Sequence, residues 1–390
     1  MTQTTDSATP IAVSTRASVW FVFTVVLIDM IGFGMVAPIL GRYADRFGAS
    51  GFQVGMLFAS FSLAQMIFAP ILGRWSDRIG RKPVIVISLL GTAVGSFITG
   101  AAGALWVLFA GRLIDGASGA SVSVAQSAVT DIGSKEQRAR MLGLLGMAFG
   151  VGFVFGPAFG GLAALGGAHV PFYLAGCLAL VNAVAAMIRL PETRDLTRVR
   201  ETKRTPTPLR KRNYGALAAV GFFSMFAFSG FEATFSLFGG ARFNLTEAST
   251  AAVFLGIGAL MSGVQGALIA PLTAKYGSLR LVRSGQVLVA IGLLLLSAAV
   301  IWPTLIVALV IMVIGAGVAS PSLSALVANS ADDDRRGEAL GVQQSASALA
   351  RVLGPPLAGL AFDHIGIGAP FSVGAAIYVI AIFVAFKKVK

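Results

Sequence analysis

Charge is scarce in this chain. Asp, Glu, Lys and Arg make up 12% of its 390 residues, about half the share of a soluble globular domain, so most of its surface is not built for water. Acids are the scarcer sign, 17 against 30 bases, leaving a net charge of +13. No nucleic-acid-binding motif accompanies that excess, and long uncharged runs exclude a nucleic-acid-binding domain. The single cysteine, Cys177, excludes an internal disulfide; its place in an apolar run reads as packing. The two histidines, His169 and His364, fall in loops and read as solvated. There is no metal-ligand cluster and no nucleophile–base pair, which argues against an enzyme. Without G-x-x-x-x-G-K-[ST], or any Gly-Lys pair, ATP is not a direct fuel, and no cofactor is expected.

Hydrophobic surface fills the space: 56% of residues are apolar and the mean hydropathy is +0.82. Apolar runs of about twenty residues, the length that crosses a bilayer, predict an all-α membrane protein with twelve spans. Their cores are Val19–Leu40, Phe52–Leu72, Val84–Ala102, Leu105–Val129, Met141–Gly166, Pro171–Ile188, Tyr214–Phe238, Ala248–Leu272, Leu281–Val300, Leu305–Ala328, Ala339–Phe362 and Ala369–Phe386. Residues 1–17 are polar and read as a disordered tail without a cleavable leader. Residues 18–190 form a first six-helix bundle and 191–213 a Pro-, Thr- and Arg-rich linker. Residues 214–386 form a second bundle, and 387–390 a basic tail. Bases gather in alternate loops, which predicts both termini in the cytoplasm. The halves echo one another: Arg138, Gly143, Gly156-Pro157 and Gly161 recur as Arg336, Gly341, Gly354-Pro355 and Gly359 at one constant offset. An internal repeat joined by a polar linker fits a two-lobed transporter.

The most charged turn is Gly73-Arg74-Trp75-Ser76-Asp77-Arg78-Ile79-Gly80-Arg81-Lys82, set between uncharged spans. Gly73 and Gly80 are read as the residues that let the chain turn. Asp77 is read as a partner for helix N–H groups, and Arg78, Arg81 and Lys82 as partners for acids or lipid phosphate. A plain positive-inside anchor would need less. G-x-x-x-D-R-x-G-R-K resembles the signature loop between the second and third helices of the major facilitator superfamily. The resemblance implies two six-helix bundles around a cavity open alternately to each side. It also implies that Asp131 and Arg138 pair with this loop to latch the cytoplasmic side. An earlier copy, Gly41 to Gly48, lacks the trailing Arg-Lys and belongs on the other side.

Asp29 lies mid-span, where a carboxylate costs about 2.5–3.5 kcal/mol on insertion scales. It therefore faces a cavity, is protonated, or is hydrogen-bonded in the bundle. Asp-x-x-Gly-Phe-Gly with Pro38 resembles the first helix of the drug/proton antiporters, tetracycline exporters especially, and implies a proton-coupling role and a place in the substrate site. Arg112 matches the family's fourth-helix motif, which implies help with proton transfer. Asp115, at i+3, departs from that motif and can neutralise Arg112. Gly152, Gly156, Pro157, Gly160 and Gly161 offer a smooth helix face with a kink. They resemble the motif that sets antiporters apart; a simple packing face is the rival reading. In the seventh span Phe228, Phe231, Phe235 and Phe238 share a face beside Glu232, a combination suited to a lipophilic cation, although such stripes usually pack. Gln65, Gln126, Asn182 and Gln265 are intramembrane amides that line a cavity or join helices. Arg351 is an intramembrane cation without an evident partner.

The expectation is a proton-driven exporter of hydrophobic or cationic drug-like molecules, acting as a monomer in the bacterial plasma membrane with protons and a small molecule as its ligands. A proton-coupled exporter or symporter of a sugar or other metabolite is the rival.

Overall fold

The computed structural model describes residues 15–132, 135–193, 214–330 and 336–387. Fourteen α-helices and one π-helical turn carry these residues. The first half holds α1 (Thr15–Asp45), α2 (Gly51–Ile79), α3 (Arg81–Gly100), α4 (Leu105–Ser118), α5 (Ser121–Ile132), α6 (Lys135–Ala164) and α7 (Val170–Arg189). The second holds α8 (Tyr214–Phe243), α9 (Glu247–Gly263), α10 (Ile269–Tyr276), α11 (Ser278–Ala298), α12 (Trp302–Asn329), α13 (Arg336–His364) and α14 (Ala369–Lys387). Among the described residues, ten helical segments are long and apolar enough to cross a membrane. The α4–α5 pair and α13 complete the twelve crossings. α13 is polar for a span because Gln343, Gln344, Ser345, Ser347 and Arg351 interrupt it.

Two spans differ from the continuous helices that hydropathy predicts. The fourth breaks at Gly119-Ala120, where Gly119 leaves the helical basin (ψ 40°). Gln65 of α2 satisfies the freed Gly119 carbonyl with a 2.9 Å hydrogen bond. The eighth changes to a π-helical turn at Val264–Leu268 before α10. Pro271 lies just beyond, without an N–H and crowding the carbonyl one turn back, the usual cause of such a bulge. Helix α1 begins at Thr15, so the last residues read as a disordered tail are helical. The expectation for Cys177 also fails: it lies exposed on α7 and not in the packing.

The halves repeat one architecture. In the first, α1 packs on α6 and α7; in the second, α8 packs on α13 and α14. Glycine sets the α1–α6 approach. A methyl on Gly156 would collide with Gly34, one on Gly160 with Met35, and one on Gly152 with Met30. Gly354 meets Phe226 of α8 in the same way.

Between halves, α2 packs on α13 and α6 on α9. We call the end carrying Gly73–Lys82 the basic face and the opposite end the far face. The hydrogen bonds and ion pair joining described residues of the two halves lie at the far face. Arg46 Nη2 reaches Glu247 at 2.8 Å, and Asp363 accepts the N–H groups of Gly51 (2.7 Å) and Phe52 (2.8 Å) at the start of α2. Gly55 sits against Pro355 and Gly161 against Ala251, with no room for a larger side chain. Towards the basic face the same helices part. A Cβ on Gly143 or Gly146 of α6, Gly263 of α9 or Gly341 of α13 would touch nothing. The cleft between the halves is closed at the far face and open at the basic face.

Candidate functional site

Among the described residues, five charged ones lie within the membrane-spanning interior: Asp29, Arg112, Asp115, Glu232 and Arg351. Counting about 1.5 Å of rise per residue, Glu232 is about 16 Å and Arg351 about 20 Å from the far ends of their helices. The break in the fourth span positions the first-half members. It starts α5 at Ser121, whose hydroxyl donates to Asp29 Oδ2 at 2.6 Å. Asp29 therefore sits at a helix N-terminus inside the bundle, where exposed N–H groups favour a negative charge. Hydropathy gave no sign of this break. The run Gly116-Ala-Ser-Gly119-Ala-Ser121, rich in residues that leave helices easily, is the signal that marks it.

Arg112 of α4 is buried, 4% exposed. Its Nη1 donates to Asp115 Oδ2 at 2.8 Å, and its guanidinium carbon lies 4.2 Å above the Phe61 ring. Nε of Arg112 is buried without a partner. Asp115 also takes a hydrogen bond from Thr92 of α3, and Gly95 lets α3 approach at Asp115. A buried pair satisfied on one side and orphaned on the other is costly to hold still; that suits a group that exchanges partners. The second half contributes Glu232 on α8 and Arg351 on α13. Sequence left Arg351 without a partner; its Nε donates to the Met225 sulfur of α8 at 3.5 Å, and nothing local links positions 225 and 351.

The remaining candidates divide. Phe228 is half-buried, and with Phe231, Ile257, Met261, Met312 and Tyr378 it lines a small apolar pocket in the second half. Phe231 (2% exposed) and Phe235 (0%) are packed into an aromatic core with Phe254, Phe238 and Phe371. Phe235 therefore does not line the cleft: the helical spacing of the stripe holds, but its face is turned to the bundle core. Gln65 is engaged with the α4–α5 break, and Asn182 donates to the Val25 carbonyl at 2.8 Å; both join helices. Gln126 is exposed on α5 and Gln265 on the π turn. Among the glycine-motif residues, Gly152, Gly156 and Gly160 form the α1–α6 contact beside Pro157, whereas Gly161 faces α9 of the other half.

At the basic face the loop is tighter than predicted. Gly73 lies inside α2 with open space beside it; the turn is Gly80 alone, at φ +107°. Arg81, 4% exposed, is the centre of the cluster. It bonds Asp77 Oδ1 (2.8 Å), Asp131 Oδ2 (2.9 Å) and Ser76 Oγ (2.7 Å). Asp77 thus pairs with Arg81 and does not cap a helix. The cap of α3 is Glu192, accepting the N–H groups of Arg81 (2.8 Å) and Lys82 (3.1 Å). Sequence reasoning missed Glu192 because it falls in the stretch read as linker. Arg78 is exposed and Lys82 half-buried. The side chain of Arg138 lies outside the described residues.

Comparison with known proteins agrees with this architecture. The Major Facilitator Superfamily profile matches residues 22–283 and 266–390. The chain is 30% identical over 377 residues to the class C tetracycline resistance protein of Escherichia coli, covering 92% of this chain and 93% of that one. It is 29% identical over 354 residues to multidrug resistance protein 1 of Bacillus subtilis (strain 168), covering 89% and 90%. Among solved structures, the human organic anion transporter MFSD10 superposes with a TM-score of 0.72 at 26% identity, covering 97% of this chain and 100% of that chain. The nucleoside transporter NupG superposes at 0.73 with 16% identity, covering 96% and 99%.

Proposed function

The chain belongs to the Major Facilitator Superfamily, and from that premise we propose that it exports lipophilic cations of drug-like size in exchange for protons. It is a transporter and not an enzyme. The observation that carries the proposal is the interior charge cluster, Asp29, Arg112, Asp115, Glu232 and Arg351, standing at a cleft that is closed on one face only. Ionisable groups inside a membrane mark ion and substrate pathways, and closure on one face is one half of an alternating-access cycle. The basic face is assigned to the cytoplasm because bases gather on that side; both termini then lie inside a bacterial plasma membrane.

In the inward-open state a cation enters from the cytoplasm and takes the place of a proton on Asp29 or Glu232. The Phe61 ring and the carboxylates offer it aromatic and negative surface. With the cleft charge neutralised, the halves rock about the site; the far-face seam parts and the basic face closes. A proton arriving from outside displaces the cargo, and the reverse movement delivers it inside. Arg112, paired with Asp115, shifts between acids as the proton moves. The relatives named for tetracycline and multidrug resistance favour a drug-like cargo.

A second reading has two observations behind it. Two arginines in the cleft, and a relative named as an organic anion transporter, favour an anion. The test is transport in proteoliposomes with a pH difference imposed. We expect tetraphenylphosphonium to be driven against its gradient by protons, and Asp29→Asn to remove that drive while the protein still folds. Proton-independent movement, or movement of organic anions only, would overturn the proposal.

A further inference from the structure

The two seams between the halves end differently at the basic face. On one, α2 runs unbroken from Gly51 to Ile79, and its tip is tied down through Arg81. On the other, the second helix of the second half stops at Gly263, passes through the π-helical turn Val264–Leu268 and resumes as α10. No residue of α10 is buried; Ile269 and Leu272, half-buried, rest against the cluster of Val264, Leu281 and Val318. Its end is followed by Gly277 at φ +77° and then by Ser278, where the first half has Arg81. Among the described residues no ion pair ties α10 to its surroundings. Elements with so few buried apolar contacts belong to the low-stability end of a fold, from which moving parts are drawn. A π turn followed by a proline, which lacks an N–H, is where a helix bends.

The register of this seam says what such a bend brings together. A methyl on Gly161 of α6 would lie 3.0 Å from the Ala251 Cβ, one on Gly258 of α9 would lie 3.1 Å from the Val154 Cα, and one on Gly150 would lie 4.0 Å from the Ser262 hydroxyl. From the first pair to the second each helix moves seven residues, in opposite directions, and from the second to the third four. One face of α6 therefore meets one face of α9 in a single antiparallel register. Continued by one turn, that register sets Gly146 against Gly266. Both are exposed, and a Cβ on either would touch nothing within 4 Å, so at this turn the seam lies open. Small residues let membrane helices approach closely. We propose that Gly146 and Gly266 are the contact on which the basic face closes when the far face opens, with the π turn and Pro271 as the joint at which α10 bends to let them meet. The inference rests on the alternating exposure in the exchange cycle above and not on its cargo.

The test is cross-linking of the full-length protein, carrying Cys177→Ser, in proteoliposomes. A disulfide needs Cα atoms within about 7 Å, and the open space beside Gly146 and Gly266 accepts a cysteine at either. Gly150→Cys with Ser262→Cys should link at once on oxidation, because those positions already adjoin. Gly146→Cys with Gly266→Cys should link more slowly, as molecules visit the closed basic face. Gly146→Cys with Ala270→Cys, one turn out of register, should link least. Once the 146–266 link has formed, distances across the far-face seam should lengthen, read between spin labels carried on ketone residues. Proton-driven transport of tetraphenylphosphonium should stop, and dithiothreitol should reverse both effects. Pro271→Ala gives the joint back an N–H and should slow the 146–266 link several-fold while leaving the 150–262 link unchanged. A 146–266 pair that never links, in a protein that still drives tetraphenylphosphonium with protons, would overturn the inference and leave the exchange reading standing. A link that forms with the far face still closed would overturn it too, and an unchanged linking rate in Pro271→Ala would remove the joint. Linking that opens the far face in a protein moving the probe without protons would support the inference and bring down the exchange reading.

Discussion

The chain carries one charged motif twice, and its two copies do opposite things. At the basic face, Arg81 binds both Asp77 and Asp131 within the first half. At the far face, the copy starting at Gly41 keeps Asp45 on its own helix, 3.3 Å from Arg42, and sends Arg46 across to Glu247. The equivalents of Gly80 and Gly48 both turn the chain with positive φ, +107° and +70°. Among their differences, Ala44 stands where Ser76 does, and the residue after the glycine changes. Arg81 follows Gly80 and draws the surrounding acids inward; after Gly48 comes Ala49, and the arginine two places before that glycine is left to pair across the halves. The copy that carries the trailing arginine braces one half, and the copy that lacks it fastens one half to the other.

That comparison can be broken at several points, and the largest effect is expected from what both fastenings serve. Asp29→Asn should reduce proton-driven efflux by at least a hundredfold with the melting temperature kept; efflux near wild type would remove Asp29 from the exchange. Next comes a wedge in the far-face seam. Gly55→Val pushes a side chain into the Pro355 backbone, at a cost of about 1–3 kcal/mol, and should hold the far face open. Spin-label distances across the seam would lengthen, and unchanged distances would mean that the seam is not a closure. The braced copy should matter less: Asp77→Asn leaves Arg81 its Asp131 partner, so turnover should slow several-fold while binding stays near wild type, and equal losses in both would undo the distinction. The smallest effect belongs to the bridging copy. Arg46→Glu opposes Glu247, and with Arg46 half-exposed the pair contributes about 0.2–1 kcal/mol. Its far-face opening should rise a few-fold and be reversed by adding Glu247→Arg.

Much of this fold can be read in the sequence because lipid leaves little choice: an uncharged run of twenty residues must become a helix. The constant offset between Gly156-Pro157 and Gly354-Pro355 likewise announces the repeated halves. What escapes is whatever depends on one dihedral or on residues far apart in the chain. The break at Gly119 is a backbone event inside an apolar run, invisible to hydropathy, yet it brings Ser121 to Asp29. The stripe from Phe228 to Phe238 has a readable period, but which neighbour covers it is decided by α14 and α9, so Phe235 is found in the core. Glu192 sits among linker-like residues and acquires its role only when α7 ends beside α3. Of the site, the ionisable members could be named from their cost in hydrocarbon; their mutual arrangement could not.

The single-residue turn at Gly80 has a mechanical consequence. With no slack between α2 and α3, and with Arg81 tying both to α5 through Asp131, the three helix ends form a strut. Any motion of one tip must be shared by the others, so flexing during a transport stroke has to occur elsewhere. Probes fixed on these tips would keep constant separations while a probe on the opposite half swings away, which makes the cluster a natural fiducial for measuring that stroke.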